Sequence, residues 1–338
     1  MRTVSVVIVT WNVEDVITPC LHSLHADAGD IDLDVVIVDN GSTDATVERI
    51  RAGFPGVRVF VNRSNAGFPV ANNQALRIAR GELVLFLNPD TEVGRGTLQA
   101  CLDVLDRDPG AGMVGCRLVL EDGTTQFECA RRDYRLRHLL LESLYLHMLF
   151  PRSRVCGDHL MSYWDHEGER EVEAISGAFM LVRREAVDRV GGLPAELFMY
   201  HEDLAFCLRV RRAGWRIRYT SAATVLHRWR GSSRRSSEAL ALLEGETKVR
   251  LVHEAEGRAA AAVARGVFAV RCVLRLGIAG AGALLPQRRA LAERYPRVFD
   301  WRTHWLQLVW AVWPRAVVHR MPRADVRALA PAGGAGNG

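Results

Sequence analysis

Lysine is all but missing from this chain: Lys248 stands alone among 44 basic residues, so the positive charge belongs to arginine. Paired cysteines are missing too. Seven cysteines lie scattered at 20, 101, 116, 129, 156, 207 and 272, with no C-x-x-C spacing and an odd count. That excludes a disulfide framework or a cysteine-based zinc site and predicts thiols used as small core residues in a reduced, cytoplasmic setting. No uninterrupted run of 18 apolar residues occurs, so no membrane-spanning helix is expected. No secretory leader is expected from the opening MRTVSVVIVTWN: its apolar run begins at once, reads as a strand and is followed by no small-residue cleavage site. The turn after that run is TWNVED rather than G-x-G-x-x-G, which excludes a dinucleotide-binding dehydrogenase. No nucleic-acid-binding module accompanies the arginines, so no nucleic acid is expected as a partner.

What is present is enough apolar material for a large core, 49% of 338 residues, and hence one large domain or two smaller ones. The net charge of +5 is uneven. From Arg258 to Arg327 there are 13 arginines against Glu293, Asp300 and Asp325, leaving the rest of the chain mildly acidic. The two parts are therefore expected to meet different partners.

Strands are predicted at Val4–Val9, Val35–Val38, Val57–Val61 and Leu83–Leu87 from short β-branched or aliphatic runs, the first, second and fourth of them buried. Helices are predicted between and after them, at Asp15–Leu24, Thr43–Ala52, Pro69–Ala79 and Gly96–Leu105. This alternation predicts a mostly parallel α/β sheet with helices on both faces. Ligands of such sheets sit beyond the carboxyl ends of the strands. Three of those ends are polar here: Thr10-Trp11-Asn12, Asp39-Asn40-Gly41-Ser42 and Asn88-Pro89-Asp90.

After about residue 110 the alternation breaks. Gly112–Leu120 reads as a strand, Leu136–Phe150 as an amphipathic helix, and Pro151–Glu171 as an irregular loop. Val172–Val182 reads as a strand pair, Glu202–Ala213 as a helix, and Arg216–Tyr219 and Ala223–His227 as two short strands. The last hundred residues read as helical, ending in a disordered tail from Pro331 to Gly338.

Each polar motif has a structural and a chemical reading. Asn40-Gly41 suits a turn, and Ser42 or Thr43 can cap the next helix. Asp39 ends a buried strand and needs a partner, for which a base edge or a ribose hydroxyl would serve. Asn65, Gly67, Pro69 and Asn72 surround a helix start, whose N–H groups suit a phosphate or sugar hydroxyl, or ordinary capping. Pro89 holds Asn88 extended and presents Asp90 beyond the sheet, either as a plain turn or as an oxygen ligand for a divalent cation. Glu202 and Asp203 open a helix. Acids there are common electrostatics, yet neighbouring carboxylates also allow one to be held while the other serves as a base. His227 closes a strand, as a hydrogen-bonding group or as a ligand.

Taken in order, SVVIVTWN, VDNGSTD, NAGFPVANNQAL with GELVLFLNPDTEV, SGAFMLVRREAVDRVGGLPAELFMYHEDLAFCLRVRRAGWRIRY and ATVLH closely resemble the family 2 inverting glycosyltransferases of GT-A fold, and within them the bacterial rhamnosyltransferase-like members. The resemblance covers about residues 3 to 235 and is weakest between 118 and 172. It implies a nucleotide-sugar-binding half at 1–110, an acceptor-binding and catalytic half at 111–235, and a helical, arginine-rich extension at 236–330.

It implies that Thr10, Asn12 and Asp39 hold the nucleoside of a nucleoside diphosphate sugar donor. Asn65, Gly67 and Asn72 would line the nucleotide and sugar pocket. Asn88-Pro89-Asp90 stands in place of the family's Asp-x-Asp motif, with Asp90 as ligand to Mg²⁺ or Mn²⁺ and Asn88 departing from the pattern. His227 matches a histidine that completes the metal and diphosphate site in some relatives. Asp203 matches the catalytic base, beside Glu202, and Gly177 and Ala178 fall where small residues let donor and acceptor approach. Ala205 departs from the pattern, replacing a second aspartate involved in the acceptor side. A nucleotide-sugar pyrophosphorylase would need a glycine-rich basic loop where TWNVED stands.

The resemblance implies transfer of L-rhamnose from a dTDP donor, with a polyprenyl diphosphate-linked glycan at the inner leaflet expected as acceptor. Other hexoses from UDP or GDP donors, other acceptors and a non-catalytic sugar-nucleotide scaffold stay open. On a helical wheel of Val263–Ile278, Arg265, Arg271 and Arg275 fall within about a third of the circumference, and Trp301, Trp305, Trp310 and Trp313 follow. A basic face with tryptophans suits an anionic bilayer surface. Alternatively, these helices pack on the catalytic domain with their arginines solvated.

Overall fold

The computed structural model describes residues 2–228, 238–283 and 300–314. The tail expected at 331–338 lies outside the described residues. The described residues form two compact units: 2–133 with 158–228 in one, and 134–157 with 238–283 and 300–314 in the other. The division read at residue 110 falls inside the first unit. Residues 134–157, read with the catalytic half, belong instead with the C-terminal helices.

The first unit is built on one mixed sheet. β1 (Thr3–Thr10), β2 (Asp32–Asp39), β3 (Arg58–Val61) and β4 (Leu83–Leu87) are joined by α1 (Ile17–Asp27), α2 (Thr46–Gly53) and α3 (Phe68–Leu76). They lie in the order β3-β2-β1-β4, all parallel. β4 is buried along its whole length and β1 along nearly all of it. This follows from runs without a polar face: only a strand covered on both sides tolerates them. Parallel pairing also brings the carboxyl ends of β1, β2 and β4 to one edge, with Thr10 opposite Asp39.

Beyond β4, the short β5 (Thr91–Val93) leads to α4 (Thr97–Arg107) and β6 (Ala111–Val119). β7 (Ala130–Arg131) forms a separate two-stranded ribbon with β9 (Ala174–Ile175), while β8 (Glu169–Val172) pairs with the last strand. β10 (Phe179–Arg183) inserts antiparallel between β4 and β6. The two short strands read at 216–219 and 223–227 are one strand, β11 (Arg216–His227), with a shift of register between Thr220 and Thr224. Ser221 leaves the ladder there and exchanges hydrogen bonds with Gly168 through its N–H and hydroxyl. The end of β11 pairs antiparallel with β5, placing His227 opposite Thr91.

In the second unit, the helix read at 136–150 is two short ones, α5 (Leu136–Ser143) and α6 (Leu146–Leu149), broken where Tyr145 turns left-handed (φ +57°). The first unit meanwhile contributes α7 (Arg184–Val190) and α8 (Glu202–Arg212). The second unit is completed by α9 (Glu238–Glu256), α10 (Arg258–Ala283) and α11 (Trp301–Val312). α9 approaches α10 closely at Gly245, where a Cβ would meet the Phe268 ring at 2.8 Å. Phe268 in turn meets Trp310 of α11 edge-on at 5.5 Å. The unit also holds a charge cluster: Lys248 bonds the largely buried Glu142 and the exposed Glu244, each at 2.9 Å.

The arginines of α10 do not form an outward basic face. Arg265 donates to the carbonyls of Trp310 and Ala311, near the α11 C-terminus, where a cation is favoured. Arg271 lies over the Phe268 ring and Arg275 donates to the Tyr145 hydroxyl. Among the described residues, no helix is long and apolar enough to cross a membrane. All seven cysteines are unpaired thiols, six of them buried.

Candidate active site

The strand tips of the first unit surround a cleft of about 240 Å³. Thr10, Asn65, Asn88, Asp90, Gly177 and Ala178 line it, as do Glu202, Asp203 and His227. The geometry therefore gathers nine of the thirteen residues singled out by sequence. Asn12, Asp39, Gly67 and Asn72 do not line it.

Each of those four spends its polar groups, or its backbone freedom, on the loops around the cleft. The Asp39 carboxylate is fully buried. One oxygen accepts from the hydroxyls of Thr10 and Ser42, the other from the N–H groups of Gly41 and Ser42. Four donors exhaust a carboxylate's ordinary capacity, so the partner this strand end required is its own turn. Asn12 accepts from the Thr43 N–H at 2.8 Å and braces the same turn. Asn72 donates back to the Phe68 carbonyl within α3. Gly67 has φ +95°, and a Cβ there would meet Phe198 at 3.1 Å. Only glycine accommodates both conditions, and they let Phe68 donate to the Phe198 carbonyl and hold the 198–200 loop beside the cleft.

At the β4 end, Pro89 supplies no ladder N–H, so the strand breaks and resumes as β5. The Asn88 N–H donates to the Ala178 carbonyl, and Thr91 caps the Asn88 carbonyl. Arg228 donates its N–H to the Asp90 carbonyl, which locks the end of β11 against this turn. As a result His227 Nε2 lies 3.3 Å from Asp90 Oδ1. The other ring nitrogen, Nδ1, is 2.7 Å from Gln126 Oε1. This contact orients the ring so that Nε2 faces Asp90. Gln126 is a residue no sequence signal marks.

The donor set here fits a divalent cation. It offers a carboxylate, an imidazole nitrogen facing it, and Asn88 Oδ1, a buried oxygen with no hydrogen-bond partner among the described residues. Among the described residues, no three or more His, Cys, Asp or Glu gather as a metal cluster. A cation here would therefore draw its remaining ligands from substrate phosphates and water.

Across the cleft, Tyr200 (φ +73°) and His201 (φ +61°) both adopt the left-handed region just before α8. Two such non-glycine residues in succession are strained, and strain of this kind concentrates at functional sites. They lead into Glu202 and Asp203. Asp203 Oδ2 accepts from the Gly177 N–H at 3.0 Å and from the Arg131 guanidinium, while Oδ1 accepts from the Leu204 N–H. Arg131 belongs to β7, and its pairing opposite Ala174 carries it to this point. The pair is buried, with the two side chains 6% and 15% exposed.

The two neighbouring carboxyls are driven apart. Burial, and then repulsion from Asp203, pushes Glu202 up to about 8. Burial acts the same way on Asp203, but the Arg131 charge and the Gly177 N–H outweigh it and hold Asp203 below its ordinary value. At neutral pH the site therefore keeps one ionised carboxylate and one neutral carboxyl, whose buried Oε2 has no partner among the described residues. The raised Glu202 value also affects stability. The unfolded chain ionises near 4.5 and the folded chain near 8, so wild-type stability falls as pH rises through that window. Glu202→Gln removes this slope. Its melting temperature is expected to match wild type near pH 5 and to exceed it near pH 9, by thermal denaturation across that range.

An ionised carboxylate beside a neutral carboxyl, and an aspartate–histidine pair, thus share one cleft at the carboxyl edge of a largely parallel sheet. The family model "Glycosyl transferase family 2" matches residues 5–191, and the chain belongs to that family. Among similar proteins is the N-acetylglucosaminyl-diphospho-decaprenol L-rhamnosyltransferase of Mycobacterium tuberculosis, 31% identical over 208 residues. That match covers 57% of this chain and 66% of the relative, just under two thirds of the relative's length. The rhamnosyltransferase WbbL of Escherichia coli is 26% identical over 234 residues, covering 66% of this chain and 83% of WbbL. Among solved structures, the mannosyltransferase PcManGT from Pyrobaculum calidifontis, in complex with GDP-Man and Mn²⁺, shares the fold. Its TM-score is 0.53 at 20% identity, over 92% of this chain and 87% of that one. The sheet and its helices have the GT-A arrangement expected from the motifs, and C-terminal helices follow as expected.

Proposed function

We propose that this protein is an inverting, metal-dependent glycosyltransferase that moves a sugar from a nucleoside diphosphate to a hydroxyl of a cell-surface glycan precursor. The observation that carries this reading is that Asp90 with His227, and Asp203 with Glu202, line one cleft. The names of the two relatives favour rhamnose as the sugar moved, and the motif resemblance favours dTDP-rhamnose as its donor. The mycobacterial relative's name favours a polyprenyl diphosphate-linked acceptor, which would bring the protein to the cytoplasmic face of the cell membrane.

In this reading the nucleoside lies along Thr10, Trp11 and Asn40, and the diphosphate at Asn88, Asp90 and His227. The sugar passes Gly177 and Ala178 toward Asp203. The acceptor oxygen forms its bond to the anomeric carbon from the face opposite the diphosphate. The C–O bond to the diphosphate breaks and its electron pair leaves with the phosphate oxygen, so the configuration inverts. Asp203 takes the acceptor's proton. Neutral Glu202 keeps a second negative charge away from that base. A divalent cation, when bound, neutralises the charge developing on the leaving diphosphate, an effect worth several kcal/mol in general.

The test is a thermal-shift screen of nucleotide sugars with and without Mn²⁺, followed by transfer assays. dTDP-rhamnose with Mn²⁺ is expected to raise the melting temperature most, and Asp90→Ala to abolish the Mn²⁺-dependent part of that rise. EDTA is expected to stop transfer, with Mn²⁺ or Mg²⁺ restoring it. Full activity in EDTA would remove the metal from Asp90, and a larger shift with a UDP or GDP sugar would replace rhamnose.

A further inference from the structure

The second unit presents the wrong side of its helices to water. Among the described residues, nearly every exposed large apolar side chain lies in this unit, the exceptions being Trp11, Phe60, Val61 and Phe127. Two segments dominate. Around the break between α5 and α6, Leu144, Met148, Leu149 and Phe150 point outward, the last three 67%, 66% and 57% exposed. On α10, Val263, Val270, Leu274 and Ile278 form an exposed stripe at helical spacing, while Arg271 and Arg275 are half-buried against Phe268 and Tyr145. A water-facing helix is ordinarily arranged the other way round. The bond from Arg275 to the Tyr145 hydroxyl sets the α5–α6 break beside α10, so the two apolar surfaces neighbour each other.

We infer that this face, the α5–α6 segment with the outward stripe of α10, docks on an anionic lipid bilayer. The charge around it decides the occupant. Between residues 134 and 157 the only acid is Glu142, which is paired with Lys248, whereas Arg137, Arg152 and Arg154 are exposed. An apolar face edged by arginine is the composition of an element lying in the interface of an anionic bilayer. Trp301 and Trp305 of α11, also exposed, are the side chains that favour the headgroup level. The contact therefore works through inserted aliphatic groups, with the α10 arginines serving inside the unit rather than as the binding face. The inference rests on the proposed lipid-linked acceptor for its setting, though not for its geometry.

The test uses the full chain with vesicles of phosphatidylcholine alone, or mixed with phosphatidylglycerol, in a co-sedimentation assay. Binding is expected to the mixed vesicles and to be several-fold weaker to the neutral ones. The combined substitution Met148→Glu, Leu149→Glu and Phe150→Glu is expected to weaken it by at least about tenfold. Hydrogen exchange on wild type, which needs no variant, is expected to show residues 140–155 and 263–278 protected by mixed vesicles only.

Undiminished binding of the triple variant, with no protection of these segments, would overturn the inference while leaving membrane attachment to another part of the chain. Failure of wild type to bind any vesicle would overturn it as well, and transfer to a water-soluble acceptor analogue would then still test the glycosyltransferase reading separately. A dimer seen by light scattering that the triple substitution dissociates, with no vesicle binding, would reassign the face to a second copy of this chain.

Discussion

Asp203→Asn is expected to lower sugar transfer by about 10²- to 10⁴-fold, the usual contribution of a positioned base, with donor affinity nearly unchanged. Asparagine keeps the shape that meets Gly177 and Arg131 but cannot accept the acceptor's proton. Single-turnover transfer with labelled donor measures the first quantity and calorimetric titration of the donor the second. Normal turnover would take the base role away from Asp203, whereas lost donor binding would point to a collapsed cleft. The wild-type pH profile carries a further sign. Burial raises Asp203, but the Arg131 charge more than offsets it, so the carboxylate ionises below its ordinary range. The acid limb of activity is therefore expected below that range too.

Arg131→Met is expected to have the largest effect on stability. It leaves Asp203 buried with its counter-charge gone, and breaking a buried pair from one side typically costs about 3–5 kcal/mol. The pair is 6% and 15% exposed, so solvent screens little of that. Urea denaturation would read the loss as a lower midpoint. In the surviving folded fraction the Asp203 carboxyl is expected to bind a proton more readily, so the acid limb of the pH–activity profile moves upward. A merely structural role would not move that limb. The double variant Arg131→Met with Asp203→Asn is expected to lose clearly less stability than the two single losses combined, because neither substitution then leaves Asp203 charged and alone. Full additivity would mean that the two side chains do not interact.

The elements of the first unit were legible wherever a strand carries a one-sided message. Runs such as Val4–Val9 and Leu83–Leu87 have no polar face, and only a central parallel strand accommodates them. The polar tips that follow were legible as well, because a buried strand that ends in Asn88-Pro89-Asp90 must present those groups at the sheet's edge. Element ends were less legible. The break at Tyr145 depends on a hydroxyl reached from α10, and the unity of β11 depends on Gly168 holding the bulge at Ser221. Neither partner is near in sequence.

The candidate site divides along the same line. Asp90, Asp203, Glu202 and His227 could be named because their residue types, in order along the chain, match a transferase pattern. The consumption of Asp39 by Thr10, Gly41 and Ser42 could not, since a strand-end aspartate reads the same whether its lone pairs are spent or open. Arg131 and Arg132 stand side by side with nothing to tell them apart. Pairing of β7 with β9 turns the first toward Asp203, while the second bonds Glu173. Gln126 was likewise invisible until the β11 end brought His227 to it.

Residue order along this chain was sufficient to specify a parallel, two-sided sheet, the edge where chemistry can occur, and which side chains are chemically able to perform it. These follow from short-range rules: the burial a run demands, the angle a proline imposes, the charge a carboxylate carries. Which of those side chains remain open to a ligand, which carboxyl is ionised, and which face of α10 meets water came from folding alone. Those properties depend on distances of a few ångströms between groups tens to a hundred residues apart, and desolvation and Coulomb energies change steeply over just that range.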